Sequence, residues 1–229
     1  TFSIGDLPIG CNSVAYGNGV IVAAGAKGIC TSSNATQWST VSGSWTSDTA
    51  NFSCVCFGGS KFVAVSYDGL IYYSQNGTTW TKAENPWSSP TCENVTYSDG
   101  KYLITPKEQI DQILVSDDAI TWTPVTLPDR RWALCCVGGD GTLVMCAGRG
   151  YILHTYDFKN WTKPSTPNRA ESMSPLNRIG AYGSGRYLIE THNATLNRPE
   201  FRYSHMEAQE EYLGFRAETS EISLQSTAE

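Results

Sequence analysis

Aromatic side chains outnumber the residues that could run acid–base chemistry in this chain of 229 residues. It carries seven Trp and twelve Tyr against three His. Histidine moves protons most readily near neutral pH, but His154, His192 and His205 show neither triad nor metal-ligand spacing. Ser66 and Ser74 lack the strand–turn–helix setting of a nucleophile elbow. Cys54 and Cys56 stand one residue apart with no second matching pair, so a zinc site is not expected. A carboxylate pair for glycoside hydrolysis could be drawn from Asp68 with Glu108 or Asp111, yet no motif singles these residues out. Non-covalent recognition is served better. Sugar rings stack their C–H faces on indole or phenol while their hydroxyls take nearby hydrogen bonds. The candidate ligand-binding residues are Trp45, Trp87 and Trp132, with Arg130, Arg131, Tyr67, Asp68 and Arg149. No catalytic residue, metal ligand or cofactor is expected.

The elements that position these side chains follow from a repeat. Ser32 to Trp38 reads SSNATQW, Ser74 to Trp80 reads SQNGTTW, Ser116 to Trp122 reads SDDAITW, and Thr155 to Trp161 reads TYDFKNW. Each places a hydroxyl residue six positions before a Trp, and the Trp residues recur at spacings of 42, 42 and 39. A period of about 40 residues indicates propeller blades or a related array. In each unit lies an aromatic or apolar residue followed closely by Gly, in VAYGNG, VCFGGS, VTYSDG, CVGGDG and GAYGSG. This alignment puts Tyr16, Phe57, Tyr97, Val137 and Tyr182 in register. The alternating runs VIVAAG, KFVAVS, KYLITP, TLVMCA and RYLIET follow, then ICTS, IYYS, ILVS, ILHT and FRYS. Four extended segments per unit, joined by Gly, Asn and Asp turns, predict a four-stranded antiparallel sheet.

Five units predict an all-β, five-bladed β-propeller of four-stranded antiparallel blades, in which radial repetition protects the sheet edges. The propeller is expected over residues 1–204, with blades near 12–49, 50–90, 91–130, 131–173 and 174–215 and a closing segment or tail over 205–229. In the fifth unit Glu210 stands where Trp is expected, and MEAQEEYLGF reads as a short helix or an irregular last strand. Closing the ring would borrow a strand from TFSI at the start or EISL at 221–224.

The motif resembles the Asp-box, S-x-D-x-G-x-T-W, of sialidase-like and related propellers. The resemblance covers about four-fifths of the chain, from Asn12 to Ser204. It implies a hairpin between the third and fourth strands of each blade, with the Trp packed between blades, so the boxes carry structure rather than chemistry. Asn76-Gly77 fits the turn best; Asn34, Asp118 and Asp157 are the matching polar residues, while Ala35, Ala119 and Phe158 replace the glycine. Sialidases also use three arginines, the first ahead of the first box. Here no Arg precedes Arg130, which counts against that activity. Propellers of this kind present ligands on loops between strands two and three and on blade-to-blade connections. Those positions hold Tyr67-Asp68, PKEQIDQ, Arg149, Trp45, Trp87 and the LPDRRWALC connection. Trp132 aligns with Phe52, so it is the most structural of the three loop tryptophans.

Composition narrows the partners. Net charge is −6 and the pI about 5.1. Arg130-Arg131 is the one close basic pair, so a nucleic-acid partner is not expected. No apolar run of about 18 residues is present, and no membrane insertion is expected. Of the eight cysteines, Cys56 and Cys136 share one repeat slot and Cys11 and Cys92 another, in non-neighbouring blades too far apart to bridge, and Cys135-Cys136 are adjacent. Free thiols and synthesis in a reducing cytoplasm are therefore expected. The sequons at Asn34, Asn51, Asn76, Asn94, Asn160 and Asn193 pull toward a secreted glycoprotein lectin. The start TFSIGD, lacking Met and a leader, is expected of a mature product or a piece of something longer.

The chain looks like the propeller domains of bacteriophage tail-fibre and receptor-binding proteins. That resemblance implies a non-catalytic domain binding a host cell-surface polysaccharide or receptor, located in the virion, contacting other virion proteins, and homotrimeric within a longer fibre. The alternatives are a structural or interaction propeller (a virion decoration, or an assembly factor of the photosystem-associated type) and a sialidase-like glycoside hydrolase.

Overall fold

Runs such as KFVAVS bury side chains of both parities, which is expected of a strand covered on its two faces by different neighbours. The computed structural model describes residues 7–45, 50–87, 91–107, 110–131, 133–139, 142–147, 151–161, 180–183, 186–193, 198–205 and 214–216. The first sheet contains β1 (Gly10–Gly17), β2 (Val20–Ala26), β3 (Gly28–Ser32) and β4 (Ser39–Val41). The second contains β5 (Phe52–Gly58), β6 (Lys61–Ser66), β7 (Ile71–Ser74) and β8 (Thr81–Ala83). The third contains β9 (Cys92–Ser98), β10 (Lys101–Pro106), β11 (Ile110–Ser116) and β12 (Thr123–Arg131). All three are antiparallel meanders.

Two further backbone sheets follow. One holds β13 (Ala133–Gly139), β14 (Thr142–Ala147) and β15 (Tyr151–Thr155). The other holds β16 (Gly180–Gly183), β17 (Arg186–Asn193), β18 (Arg198–His205) and β19 (Gly214–Arg216). The end of MEAQEEYLGF thus enters a strand, because Gly214 and Phe215 belong to β19 and pair with β18. Both candidate closing segments, TFSI and EISL, lie outside the described residues.

The core sits between sheets rather than within one. Val22, Ala24 and Ile29 of the first sheet pack on Phe52, Val55, Phe62 and Trp80 of the second. Val63, Val65 and Ile71 pack on Val95, Tyr102, Ile104 and Trp122 of the third. Leu103, Ile113 and Leu127 then meet Leu153, Phe158 and Trp161. Alternate residues of β6 therefore serve opposite interfaces: Phe62 and Ala64 face back, Val63 and Val65 face forward. The first strands run in succession, with β1 beside β5, β5 beside β9, β9 beside β13 and β13 beside β16.

Two sequence expectations need correction. In the fourth unit the two-residue hairpin joins Gly139 to Thr142, as Gly58 joins Lys61 in the second. Gly138, not Val137, therefore occupies the place of Phe57, and Val137, not Cys136, occupies that of Cys56. Ala133 likewise takes the place of Phe52 that the alignment gave to Trp132, and it pairs with Ala147 as Phe52 does with Ser66. The LPDRR stretch is not a loop: β12 continues to Arg131, which pairs with Ile110 across a register shift. Among the described residues Cys11, Cys30, Cys54, Cys56 and Cys92 are free thiols.

Candidate functional site

The two ends of the sheets differ in chemistry. At one end lie the box turns, which use up their polar groups internally. The Ser74 hydroxyl oxygen accepts from the amide of Gly77 at 2.8 Å, and Asn76 Oδ1 accepts from Thr78 at 3.0 Å and Thr79 at 2.8 Å. Trp80 Nε1 donates to the Gly77 carbonyl at 2.7 Å. The hydroxyl and polar-acceptor bonds recur with Ser32 and Asn34, Ser116 and Asp118, and Thr155 and Asp157. The indole bond recurs at Trp38, which donates to the Ala35 carbonyl at 3.2 Å, but not at Trp122 or Trp161, whose buried Nε1 atoms find no acceptor among the described residues. The turn residue adopts positive φ in every case: 62° at Ala35, 75° at Gly77, 64° at Ala119 and 60° at Phe158. Backbone amides of Thr121 and Ile120 hold the Asp118 carboxyl below its ordinary range, and those of Asn160 and Lys159 do so more strongly for Asp157. Both carboxylates are occupied as acceptors, not poised as acids or bases.

Box turns also clasp the hairpin of the preceding sheet. Asn18 donates to the Gln75 carbonyl at 2.9 Å, Lys61 to that of Asp118 at 2.9 Å, and the Lys101 ammonium lies 5.8 Å from the Phe158 ring centre. This end is a structural collar.

The opposite end carries the loops between second and third strands and the sheet-to-sheet connections. Here Tyr67 is half-buried and Asp68 exposed. Their turn is closed by the Leu70 amide on Ser66 Oγ at 2.9 Å, the Gly69 amide on the Ser66 carbonyl at 3.0 Å, and the Tyr67 amide on the Asn51 carbonyl at 3.1 Å. The Lys107 ammonium, from the equivalent loop of the next sheet, sits 4.7 Å from the Tyr67 ring centre. An aromatic face and a cation thus meet across one sheet boundary, and the exposed Asp68 follows the ring in the same turn. Such a cation–ring pair contributes about 0.5–1 kcal/mol at exposed sites.

The tryptophans of this end lie deeper than a stacking role needs. Trp87 is 8% exposed and packs among Ile71, Ala83, Cys92 and Val95. Its amide is fixed by Asn85 Oδ1 at 3.0 Å, while Asn85 Nδ2 reaches the Gly69 carbonyl at 2.9 Å. The expectation that Trp87 offers its ring to a ligand is therefore corrected: the indole fills the joint between two sheets. Trp45 is half-buried, edge-on to Phe52 at 5.3 Å and Tyr72 at 5.0 Å. Arg130 and Arg131 are strand residues of β12, and Trp132 and Arg149 lie outside the described residues. The structure thus brings Tyr67 together with Lys107, which the sequence gave only as part of the PKEQIDQ loop, and leaves Asp68 exposed beside Tyr67. Among the described residues no group of three or more His, Cys, Asp or Glu could hold a metal ion.

Comparison with solved structures decides the fold. Virginiamycin B lyase from Staphylococcus aureus matches with a TM-score of 0.66 at 12% identity, over 84% of this chain and 69% of that one. YCF48 bound to a D1 peptide matches with a TM-score of 0.65 at 11% identity, over 92% and 69%. PorZ, a surface component of the type-IX secretion system of Porphyromonas gingivalis, matches with a TM-score of 0.59 at 11% identity, over 83% and 28%. The fold is that of a β-propeller. No family model and no curated protein matches the chain. At these identities the likeness establishes the propeller alone, which serves enzymes and non-enzymes alike.

Proposed function

We propose that this chain is a non-catalytic binding propeller of five blades, whose loop-bearing rim engages a cell-surface glycan or receptor in the manner of bacteriophage tail-fibre propellers. One observation carries this reading: Tyr67 and Lys107, drawn from two adjacent blades, form a cation–ring pair on the end not consumed by the box turns, with the exposed Asp68 next to Tyr67 in the same turn. The half-buried Tyr67 ring supplies a stacking face, and the ammonium and carboxylate supply hydrogen bonds to hydroxyls. Half-buried Trp45 borders the same end and contributes an indole edge. In this reading the protein acts on the virion surface, with polysaccharide or receptor as its partner.

The test is binding of the labelled protein to host cells and to their isolated surface polysaccharide, with Tyr67→Ala, Asp68→Ala and Lys107→Ala singly and together. The triple variant is expected to lose at least tenfold in affinity while keeping its melting temperature within a few degrees. Undiminished binding would remove the rim from the proposal. Turnover of a fluorogenic glycoside, abolished by Asp68→Asn, would replace it with hydrolysis. A second reading, a protein-interaction propeller, draws on YCF48, whose solved structure holds a peptide. A pulled-down protein partner competing at the same three residues, without glycan affinity, would favour it.

A further inference from the structure

Two Asn-Gly pairs occur in the chain, Asn18-Gly19 and Asn76-Gly77. Because glycine has no side chain, its amide nitrogen reaches the preceding Asn side-chain carbonyl carbon more easily than that of other residues. Ring closure there expels ammonia, and water reopens the ring to aspartate or isoaspartate. The fold treats the two pairs oppositely.

At Asn76 both reacting groups are engaged. The Gly77 amide, which must give up its proton to attack, donates to Ser74 Oγ at 2.8 Å, and that serine is 2% exposed. Asn76 Oδ1 accepts from Thr78, Thr79 and the Ser74 hydroxyl. Bringing nitrogen and carbon together would break this whole set. Asn18 and Gly19 instead form the two-residue turn between β1 and β2, with φ of 49° and 76°. Among the described residues no hydrogen bond engages the Gly19 amide, and a Cβ built on Gly19 would meet nothing within 4 Å. One bond restrains the Asn18 side chain, from Nδ2 to the Gln75 carbonyl, and it lies between exposed groups. Such a bond adds little net stability in water, so it opens readily.

That single bond is nonetheless the clasp between the first two sheets at this end. In the second and third sheets the clasp comes from Lys61 and Lys101. Val20 holds their place in the first, pairing with Gly17 as Lys61 pairs with Gly58 and Lys101 with Ser98. Next to it the Phe57 ring lies over Gly17, where an added Cβ would stand 2.2 Å from the ring, as the Tyr97 ring lies over Gly58, at 2.1 Å. Aspartate at position 18 would keep the turn, because Asp99 occupies the matching turn of the third sheet with φ of 47°. An ionised carboxylate, however, has no hydrogen to donate to the Gln75 carbonyl. Isoaspartate would also lengthen the backbone of the turn and displace Gly17 beneath Phe57.

We propose that Asn18 is a site of spontaneous deamidation, that its conversion releases the hold of the first sheet's hairpin on the second sheet's box turn, and that Asn76 is shielded. The Gly19 nitrogen bonds to Asn18 Cγ, the Cγ–Nδ2 bond breaks, and the amide proton leaves with Nδ2 as ammonia; one water then hydrolyses the cyclic imide. The inference is independent of the rim reading.

The unaltered protein, held for weeks at mildly alkaline pH and body temperature beside a urea-unfolded sample, supplies the test. Peptide mapping by mass spectrometry follows aspartate and isoaspartate at both positions. In the folded chain Asn18 is expected to convert at least about tenfold faster than Asn76, since one hydrogen bond rather than several must open. The gap should close in urea. Ser74→Ala should speed conversion of Asn76 and leave that of Asn18 unchanged; should it fail to fold, the folded and unfolded rates of the two asparagines decide. Asn18→Asp, which installs one product, should lower the melting temperature by a few degrees. Equal rates in the folded chain, faster conversion at Asn76, or an inert Asn18 while the urea sample reacts would overturn the assignment. A melting curve of Asn18→Asp identical to that of the unaltered protein would overturn the released clasp.

Discussion

A single hydroxyl organises each box. Ser74, 2% exposed, accepts the amides of Asn76 and Gly77 and donates to Asn76 Oδ1 at 3.2 Å. Ser74→Ala strands the buried Gly77 amide, and a loss of about 1–3 kcal/mol is expected. In a chain of this size that is roughly 2–4 °C of melting temperature per kcal/mol, readable by calorimetry. Asp118 does the work of Asn34 and Asn76 with an ionised group. Its folded pKa is lowered by the Thr121 and Ile120 amides, so its stabilisation is present above the unfolded value, about 3.9, and is lost as pH falls through the folded one. Asp118→Asn should leave the neutral-pH melting temperature nearly unchanged and flatten its decline in acid. Parallel thermal melts of the variant and the unaltered chain from neutral to strongly acidic pH check this. Steepening of the decline in the variant would contradict the assigned role. The box hydroxyl and its polar partner were legible in the sequence because both lie within six residues of the Trp. The left-handed φ of Ala35, Ala119 and Phe158 was not, since alanine and phenylalanine give no local sign of it.

At the scale of the element, the joint is the unit that matters. Gly58 has no room for a side chain against Tyr97, so Gly58→Ala should cost about 1–3 kcal/mol as an overpacked contact. Tyr97 is partly buried, so Tyr97→Ala should cost less than the roughly 3–5 kcal/mol of a fully buried aromatic. The double variant is expected to fall short of the summed costs by at least about 0.5 kcal/mol, because both changes act on one contact. Urea unfolding of the four proteins measures this, and strict additivity would show that ring and glycine do not depend on each other. Strand order was readable from alternation and turn residues. The one-residue displacement in the fourth unit was not, because Gly138-Gly139 lacks the aromatic marker that fixes register elsewhere. Nor was the extension of β12 through Pro128, Asp129 and Arg130, whose types argue for a loop; pairing across the register shift outweighs that preference. Trp87 read as a rim residue because a connection sequence cannot show that its indole folds back into the joint.

Over the whole molecule, stability is shared between neighbours, because the three larger apolar clusters of the described residues each bridge two consecutive sheets. Weakening one joint should therefore open the structure locally. In Gly58→Ala, amide exchange is expected to quicken in β5–β8 and β9–β12, with β2 and β3 of the first sheet less affected. Uniform acceleration throughout would indicate a single cooperative unit instead. Repetition made the architecture visible from spacing alone. The rim cluster was half visible, since Tyr67 and Asp68 stand in a turn between strands while Lys107 joins them only through the packing of two blades.

The matching of ring to glycine also restricts how such a chain can be lengthened by gene duplication. A copied second unit would bring a fresh Phe57 onto the existing Gly58 and fit at once. Transplanting the fourth unit behind the first would set Gly138 opposite Gly17 and leave a void where a phenyl ring belongs, so tandem duplication is open to this lineage where free shuffling is not.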